Sequence, residues 1–166
     1  QVVKYAPGYV YGYSNRANVR ISGGDLQGAI DDYGRALDLA AALPAAEAAS
    51  GVPDRWLILL NRGTTRLALG QDGAALDDLD AAAKALSPRE DSLLLANRGQ
   101  AYERAGEYEA AARDYGRALA LKPGSVEPWW LRFALVLFET GDDATALAYV
   151  RRVQSRFADA TEVRGA

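Results

Sequence analysis

The chain has 166 residues, with 19 basic and 22 acidic side chains and a net charge of −3, so it carries no general basic footprint for nucleic acid. It contains no histidine and no cysteine. That removes the commonest general base, the commonest transition-metal ligand and any disulfide framework together. Nearly half the residues are hydrophobic and none of the chain is low-complexity, which predicts one folded domain over residues 1–166. The longest apolar run, around Phe133–Phe138, is flanked by Arg132 and Glu139 and is too short to span a bilayer. A chain that begins at Gln1 and lacks methionine reads as a processed product or a fragment.

The first element covers KYAPGYVYGYSNRANVRIS. Tyr9, Tyr11 and Tyr13 alternate as in a strand, but a lone strand would have no partner, so a helix is expected from about Gly8. Tyr9 and Tyr13 would pack as a first layer, with Tyr5 wrapping over them; the alternative is an exposed tyrosine surface for a partner or dimer. SGGD at 22–25 then makes a helix-to-helix turn, and an alanine-rich second helix runs to about Leu43. A loop follows through Pro44, Gly51 and Pro53.

The next stretches repeat the first. Asn15-Arg16, Asn61-Arg62 and Asn97-Arg98 each stand nine residues before a glycine. Aligned on Gly24, Gly70, Gly106 and Gly141, the spacings are 46, 36 and 35 residues. Alanine recurs at 29, 75, 111 and 146, a large residue at Tyr33, Leu79, Tyr115 and Val150, and a small or branched one at Ala36, Ala82, Ala118 and Val153. A period of this size marks a solenoid of helical pairs. In the third copy Leu95, Gly99 and Tyr102 share one helical face. Gly106 breaks that helix, and Glu107 opens another carrying Tyr108, Ala111, Tyr115 and Ala118, closed by Pro123. Ser87-Pro88-Arg89-Glu90 reads as a capping box that starts this copy. The last helix is expected to end near Arg156, with a short capping helix at about 158–166.

SLLLANRGQAYERAGEYEAAARDYGRALALKP, residues 92–123, closely resembles a tetratricopeptide repeat. Residues 56–88 resemble one well; 10–41 and 127–157 do so with Ala17 and Ala134 in place of the first-helix glycine. The resemblance implies an all-α, right-handed superhelical solenoid of antiparallel helix pairs, whose first helices line a concave groove. The first interval exceeds the family period of about 34 residues. Its surplus, LAAALPAAEAASGVPD at 39–54, reads as a tolerated loop insertion.

On the first helices, the groove stripe would be Tyr11, Asn15, Asn18 and Ser22; Leu57, Asn61, Thr64 and Ala68; Leu93, Asn97, Gln100 and Arg104; then Pro128, Arg132, Leu135 and Glu139. Asparagine is a poor residue for a helix interior, so three at one register position ask for a reason. One reason is an amide ladder that pairs with a guest peptide backbone, with Tyr11, Leu57 and Leu93 receiving side chains. The other is that each amide serves the superhelix itself. The expected binding residues are Tyr11, Asn15, Asn18, Leu57, Asn61, Thr64, Leu93, Asn97, Gln100, Arg104 and Arg132. Arg16, Arg62 and Arg98 are expected to pack their stems between helices, each near a carboxylate.

Chaperone-binding members of the family hold a terminal carboxylate with two lysines, two asparagines and an arginine. On repeats one to three that pattern meets Ser14, Leu93 and Asn97 where basic residues are wanted. On repeats two to four it fails at Leu60, Thr64 and Pro128, so such a clamp is not expected. The acid pairs Asp31/Asp32, Asp77/Asp78 and Asp142/Asp143 read as solvated faces near the starts of second helices. With no activating base and no phosphate loop, neither enzymatic activity nor a cofactor or metal is expected. The expected partner is a protein or peptide, with no nucleic acid and no direct membrane insertion. The chain is expected to be a monomer, the competing reading being a self-associating scaffold using the convex face or terminal helices. The stretch VRRVQSRFADATEVRGA, after NRAN and two NRG motifs, also resembles tetratricopeptide proteins of chloroplasts and cyanobacteria. That likeness implies a thylakoid-associated assembly factor.

Overall fold

The computed structural model describes residues 7–43, 54–122 and 129–162. Among them lie eight helices and no strand: α1 (Pro7–Ser22), α2 (Leu26–Ala42), α3 (Arg55–Ala68), α4 (Asp72–Leu86), α5 (Ser92–Arg104), α6 (Tyr108–Leu121), α7 (Trp129–Glu139) and α8 (Asp143–Glu162). They form an all-α helical repeat. The chain divides into two compact units, one ending at Glu90 and the other beginning at Asp91. In the first, α1 pairs with α2, α3 pairs with α4, and α2 packs on α3; in the second, α5 pairs with α6, α7 with α8, and α6 packs on α7.

Each hairpin turns the same way for the same reason. Gly24, Gly70, Gly106 and Gly141 sit at φ of 82°, 73°, 77° and 81°, a region that costs a residue with a Cβ. The N–H that follows closes the turn on a carbonyl five residues back: Asp25 to Arg20, Gln71 to Arg66, Glu107 to Tyr102 and Asp142 to Leu137, each at 2.9 Å. This is the Schellman closure, which satisfies carbonyls that a helix end would otherwise strand. The recurring alanines 29, 75, 111 and 146 are fully buried, as are Tyr33, Leu79 and Tyr115. Val150 is only half-buried. A Cβ on Gly99 would lie 3.1 Å from the Tyr115 ring, and one on Gly63 would lie 2.9 Å from the Leu79 side chain. Glycine there lets the paired helices close up.

Three expectations are corrected. Ser87 is the C-cap of α4, so no capping box opens the third repeat. Asp91 caps α5 instead, accepting from the N–H groups of Leu93 and Leu94 at 2.9 Å. α8 runs without a break past Arg156 to Glu162, so no separate capping helix begins near 158. Residues 163–166 of that expected helix, the 44–53 loop with its prolines, Tyr5 and Pro128 lie outside the described residues. Finally, Tyr9 is 60% exposed rather than packed, and Tyr13 is half-buried beneath the Arg16 guanidinium, 5.0 Å from its ring centre.

The acid pairs also need correction, in an instructive way. Asp31 and Asp77 are exposed, but Asp32 and Asp78 are buried. Arg16 grips Asp32 through two bonds of 2.7 and 2.6 Å, and Arg62 grips Asp78 at 2.8 and 2.6 Å. Arg98 holds Asp114 the same way, at 2.6 and 2.9 Å. The partner is always sixteen residues on, across the hairpin, and the paired forks match guanidinium geometry. Arg20 and Arg66, one turn further along, add second contacts to Asp32 and Asp78 at 3.2 and 2.8 Å. The hydrogen bonds from Arg16 hold the Asp32 carboxyl below its ordinary range, against the opposing effect of burial. The fourth hairpin keeps the position and changes the chemistry. Phe133 and Tyr149 stand where the ion pair would be, edge to face with ring centres 4.7 Å apart.

Candidate functional site

With the arginines committed to the hairpins, the remaining stripe of each first helix stays open. Tyr11, Asn15, Asn18, Leu57, Thr64, Leu93 and Arg104 are exposed, and Asn61, Asn97, Gln100 and Arg132 are half-buried. Helical periodicity explains the division. A residue next to the stripe, such as Arg62, points into the hairpin, while Asn61 one position earlier does not.

The amides are not equally free. The Tyr33 hydroxyl donates to the Asn18 side-chain oxygen. Burial pushes the Tyr33 phenol up to about 12, so it remains a neutral donor at physiological pH. Asn97 donates its Nδ2 to the Leu93 carbonyl at 2.8 Å, one turn back on its own helix. Its oxygen stays available. Thr64 bonds the Leu60 carbonyl in the same backward manner at 2.8 Å. Among the described residues, Asn15 and Asn61 make no side-chain hydrogen bond.

In the second unit the structure brings several of these residues to one place. Leu93, Ala96, Asn97, Gln100, Tyr115, Trp129 and Arg132 line a cleft of about 320 Å³. Tyr115 lies fully buried beneath it and donates to Glu103 at 2.8 Å, while Arg132 donates to the same Glu103 oxygen at 2.9 Å. Burial first, and then the bond to Glu103, raise the Tyr115 phenol far above its usual range. Glu103 therefore clips α5, α6 and α7 together and takes up much of the charge of Arg132. The indole N–H of Trp129 has no hydrogen-bond partner among the described residues. Chemically, the cleft offers apolar walls, two amides and one neutralised guanidinium. That suits a main chain with an apolar side chain better than a free carboxylate.

Of the eleven expected residues, Leu93, Asn97, Gln100 and Arg132 meet in this cleft and Arg104 does not line it. Tyr11, Asn15, Asn18, Leu57, Asn61 and Thr64 belong to the first unit and form stripes on α1 and α3. Tyr115 and Trp129 were missed. Tyr115 looked like core, which it also is, and Trp129 could have been found as the extra tryptophan just before Trp130, at the entry to a first helix. No group of three acidic side chains placed to hold a metal occurs among the described residues, and no described helix is long and apolar enough to cross a membrane.

The tetratricopeptide repeat family profile matches residues 92–125. No curated protein sequence matches the chain. Among solved structures the chain is similar to the crystal structure of MamA, at 17% identity and a TM-score of 0.75, covering 97% of this chain and 85% of that one. It is similar to YrrB, described as a TPR protein with an unusual peptide-binding site, at 21% identity and a TM-score of 0.72, over 86% of this chain and 66% of that one. The first TPR of Spaghetti (RPAP3) bound to the HSP90 peptide SRMEEVD is also similar, at 19% identity and a TM-score of 0.60, over 91% and 94% of the two chains. At these identities the likeness establishes the fold.

Proposed function

We propose that this chain, a tetratricopeptide-repeat protein by the repeat at 92–125 and by its fold, is a protein-interaction scaffold that holds an extended peptide segment. The observation that carries the reading is the cleft on α5 and α7, where Asn97, Gln100 and Arg132 face the same space as Leu93 and Trp129. Two of the similar structures are described by the peptides or peptide site they contain, which supports the same use of the fold here. An acidic chain terminus is not the favoured guest, because Glu103 already occupies Arg132. The open amides of Asn15 and Asn61 give the first unit a matching but separate stripe.

A random-peptide library panned against the protein supplies ligands, and fluorescence anisotropy measures them. Asn97→Ala combined with Arg132→Ala should weaken the selected peptides by roughly tenfold or more, the scale of losing one charge-assisted and one neutral hydrogen bond. The exposed control Arg113→Ala should leave them unchanged. Failure to select any peptide, or equal affinity in all three proteins, refutes the proposal. The finer role of assembly factor at the thylakoid rests on the C-terminal resemblance alone. It is tested by whether the protein co-fractionates with thylakoid complexes.

A further inference from the structure

We infer that the groove of the first unit, between α1 and α3, is a second peptide subsite with its own chemistry, one that takes the side-chain carboxamide of a guest glutamine or asparagine. The subsite presupposes the peptide-binding reading above and names what the first unit selects. Repeat register locates it. Eighty-two residues before Leu93, Asn97 and Gln100 stand Tyr11, Asn15 and Asn18, and seventy-one before Trp129 and Arg132 stand Ile58 and Asn61. Ala96 and Tyr115 correspond in the same way to Ser14 and Tyr33. The cleft of the second unit therefore has a counterpart on α1, α2 and α3, where α2 packs on α3 as α6 packs on α7. The counterpart exchanges bulk and charge for amides and a hydroxyl.

Its hydrogen-bonding groups are largely unspent. Ser14 is only 7% exposed, and its hydroxyl, where Ala96 has a methyl, has no hydrogen-bond partner. A helical serine commonly bonds the carbonyl one turn back, and a buried hydroxyl left unbonded is costly. A guest group that bonds it recovers that cost. The buried tyrosine differs as well. Glu103 corresponds to Ile21 on α1, so the Tyr33 hydroxyl meets no carboxylate there and donates to the Asn18 side-chain oxygen instead. That leaves the Asn18 Nδ2 hydrogens as donors to the groove. Asn15 and Asn61 keep their donors and their acceptors, since neither side chain is bonded among the described residues.

Charge selects among the guests. The expected binding residues on α1 and α3, Tyr11, Asn15, Asn18, Leu57, Asn61 and Thr64, are all neutral. Arg16 and Arg20 are both held by Asp32. A guest carboxylate would meet amide oxygens with no cation to offset it, and a guest ammonium would meet amide hydrogens with no carboxylate. An apolar side chain would cover the amides without bonding them. A carboxamide is neutral and planar, and it carries two donors and an acceptor. It can pair with another amide through two bonds at once and still offer a bond to a hydroxyl.

Nitrogen-15-labelled full chain, titrated to millimolar concentrations of short, end-blocked alanine peptides with Gln, Glu or Leu at the centre, tests this. The side-chain amide signals of Asn15, Asn18 and Asn61 report the first unit, and the Trp129 indole signal reports the cleft. We expect the glutamine peptide to move the three asparagine signals with a dissociation constant at least about tenfold below those of the other two. Ser14→Ala with Asn61→Ala should weaken that response at least about tenfold and leave the Trp129 response to the leucine peptide as in the parent. Asn61→Arg adds a cation that no glutamate neutralises, so it should turn the preference toward the glutamate peptide. Alanine already serves at the Ser14 position in the third repeat, and Asn61 is half-buried, so circular dichroism and the melting temperature should be retained. Equal affinities for the three peptides, a glutamine peptide that moves Trp129 alone, a response indifferent to the double alanine variant, or an arginine variant that keeps the glutamine preference would each overturn the subsite and leave the cleft standing. Silence of both regions toward every peptide would overturn the subsite and the peptide-binding reading together.

Discussion

The fourth hairpin suggests how to test what the arginine–aspartate pairs contribute. Arg98 and Asp114 are both largely buried, with side-chain exposures of 21% and 10%, and are joined by two short bonds. Asp114→Ala alone removes the carboxylate that accepts both of these bonds from the Arg98 guanidinium. Removing one member of a buried pair costs about 3–5 kcal/mol. Because Arg98 can turn partly toward water and lies 5.9 Å from the Tyr102 ring centre, we expect a loss below that range, about 2–3 kcal/mol. The double change Arg98→Phe with Asp114→Tyr copies Phe133 and Tyr149. An apolar replacement of similar volume is often neutral, so the double variant should fall within about 1 kcal/mol of the parent. Thermal melts followed by circular dichroism resolve this. The single change should lower the melting temperature by roughly 4–12 °C and the double change by no more than roughly 4 °C. If the double variant is as unstable as the single one, the pair does more than fill and bond the hairpin, and the reasoning from the fourth repeat is wrong.

Acid should act on the first unit through Asp32. Its carboxyl is depressed in the folded chain, so its stabilisation is fully present above the unfolded value of about 3.9 and is lost as pH falls through the lower folded value. Denaturant unfolding of Asp32→Asn should therefore show a weaker dependence on pH below about 4 than the parent shows. Gly63→Ala places a methyl 2.9 Å from Leu79 and 3.2 Å from the Ala75 carbonyl. Urea titration should show a net loss of about 1–2 kcal/mol despite the better helix propensity of alanine. Tyr115→Phe removes the bond to Glu103 and should cost about 1 kcal/mol by the same titration. It should also weaken cleft-binding peptides if Glu103 and Arg132 are positioned through it, which anisotropy would register. Spectrophotometric titration should find the Tyr33 phenol ionising only near pH 12.

Much of this architecture could be read one residue at a time. The alanines, the turn glycines and the large residue at positions 33, 79 and 115 recur because each hairpin solves the same packing problem with the same local rules. Helix period and glycine at positive φ are properties of short stretches, so they survive in a bare string of letters. The structural role of Arg16, Arg62 and Arg98 was legible for the same reason, since their place just off the open stripe points them inward. Their partners were not. Asp32, Asp78 and Asp114 lie on the neighbouring helix, and the sixteen-residue link appears only when the turn folds one helix against the other. Periodicity within a helix says nothing of that register, so paired acids resembled an ordinary solvated face.

The cleft divides along the same line. Asn97 announced itself as a repeated asparagine in a helix interior, and Gln100 followed from its place on the same stripe. That Asn97 gives its amide hydrogens to its own helix, that Glu103 claims Arg132, and that Tyr115 and Trp129 complete the walls depend on three helices meeting. Local chemistry sets which backbone path each segment takes; side chains far apart in the chain acquire their partners only through the packing of those segments. A periodic code could specify the hairpins, but the hydrogen bonds spent and left free were fixed by how one hairpin lies on another.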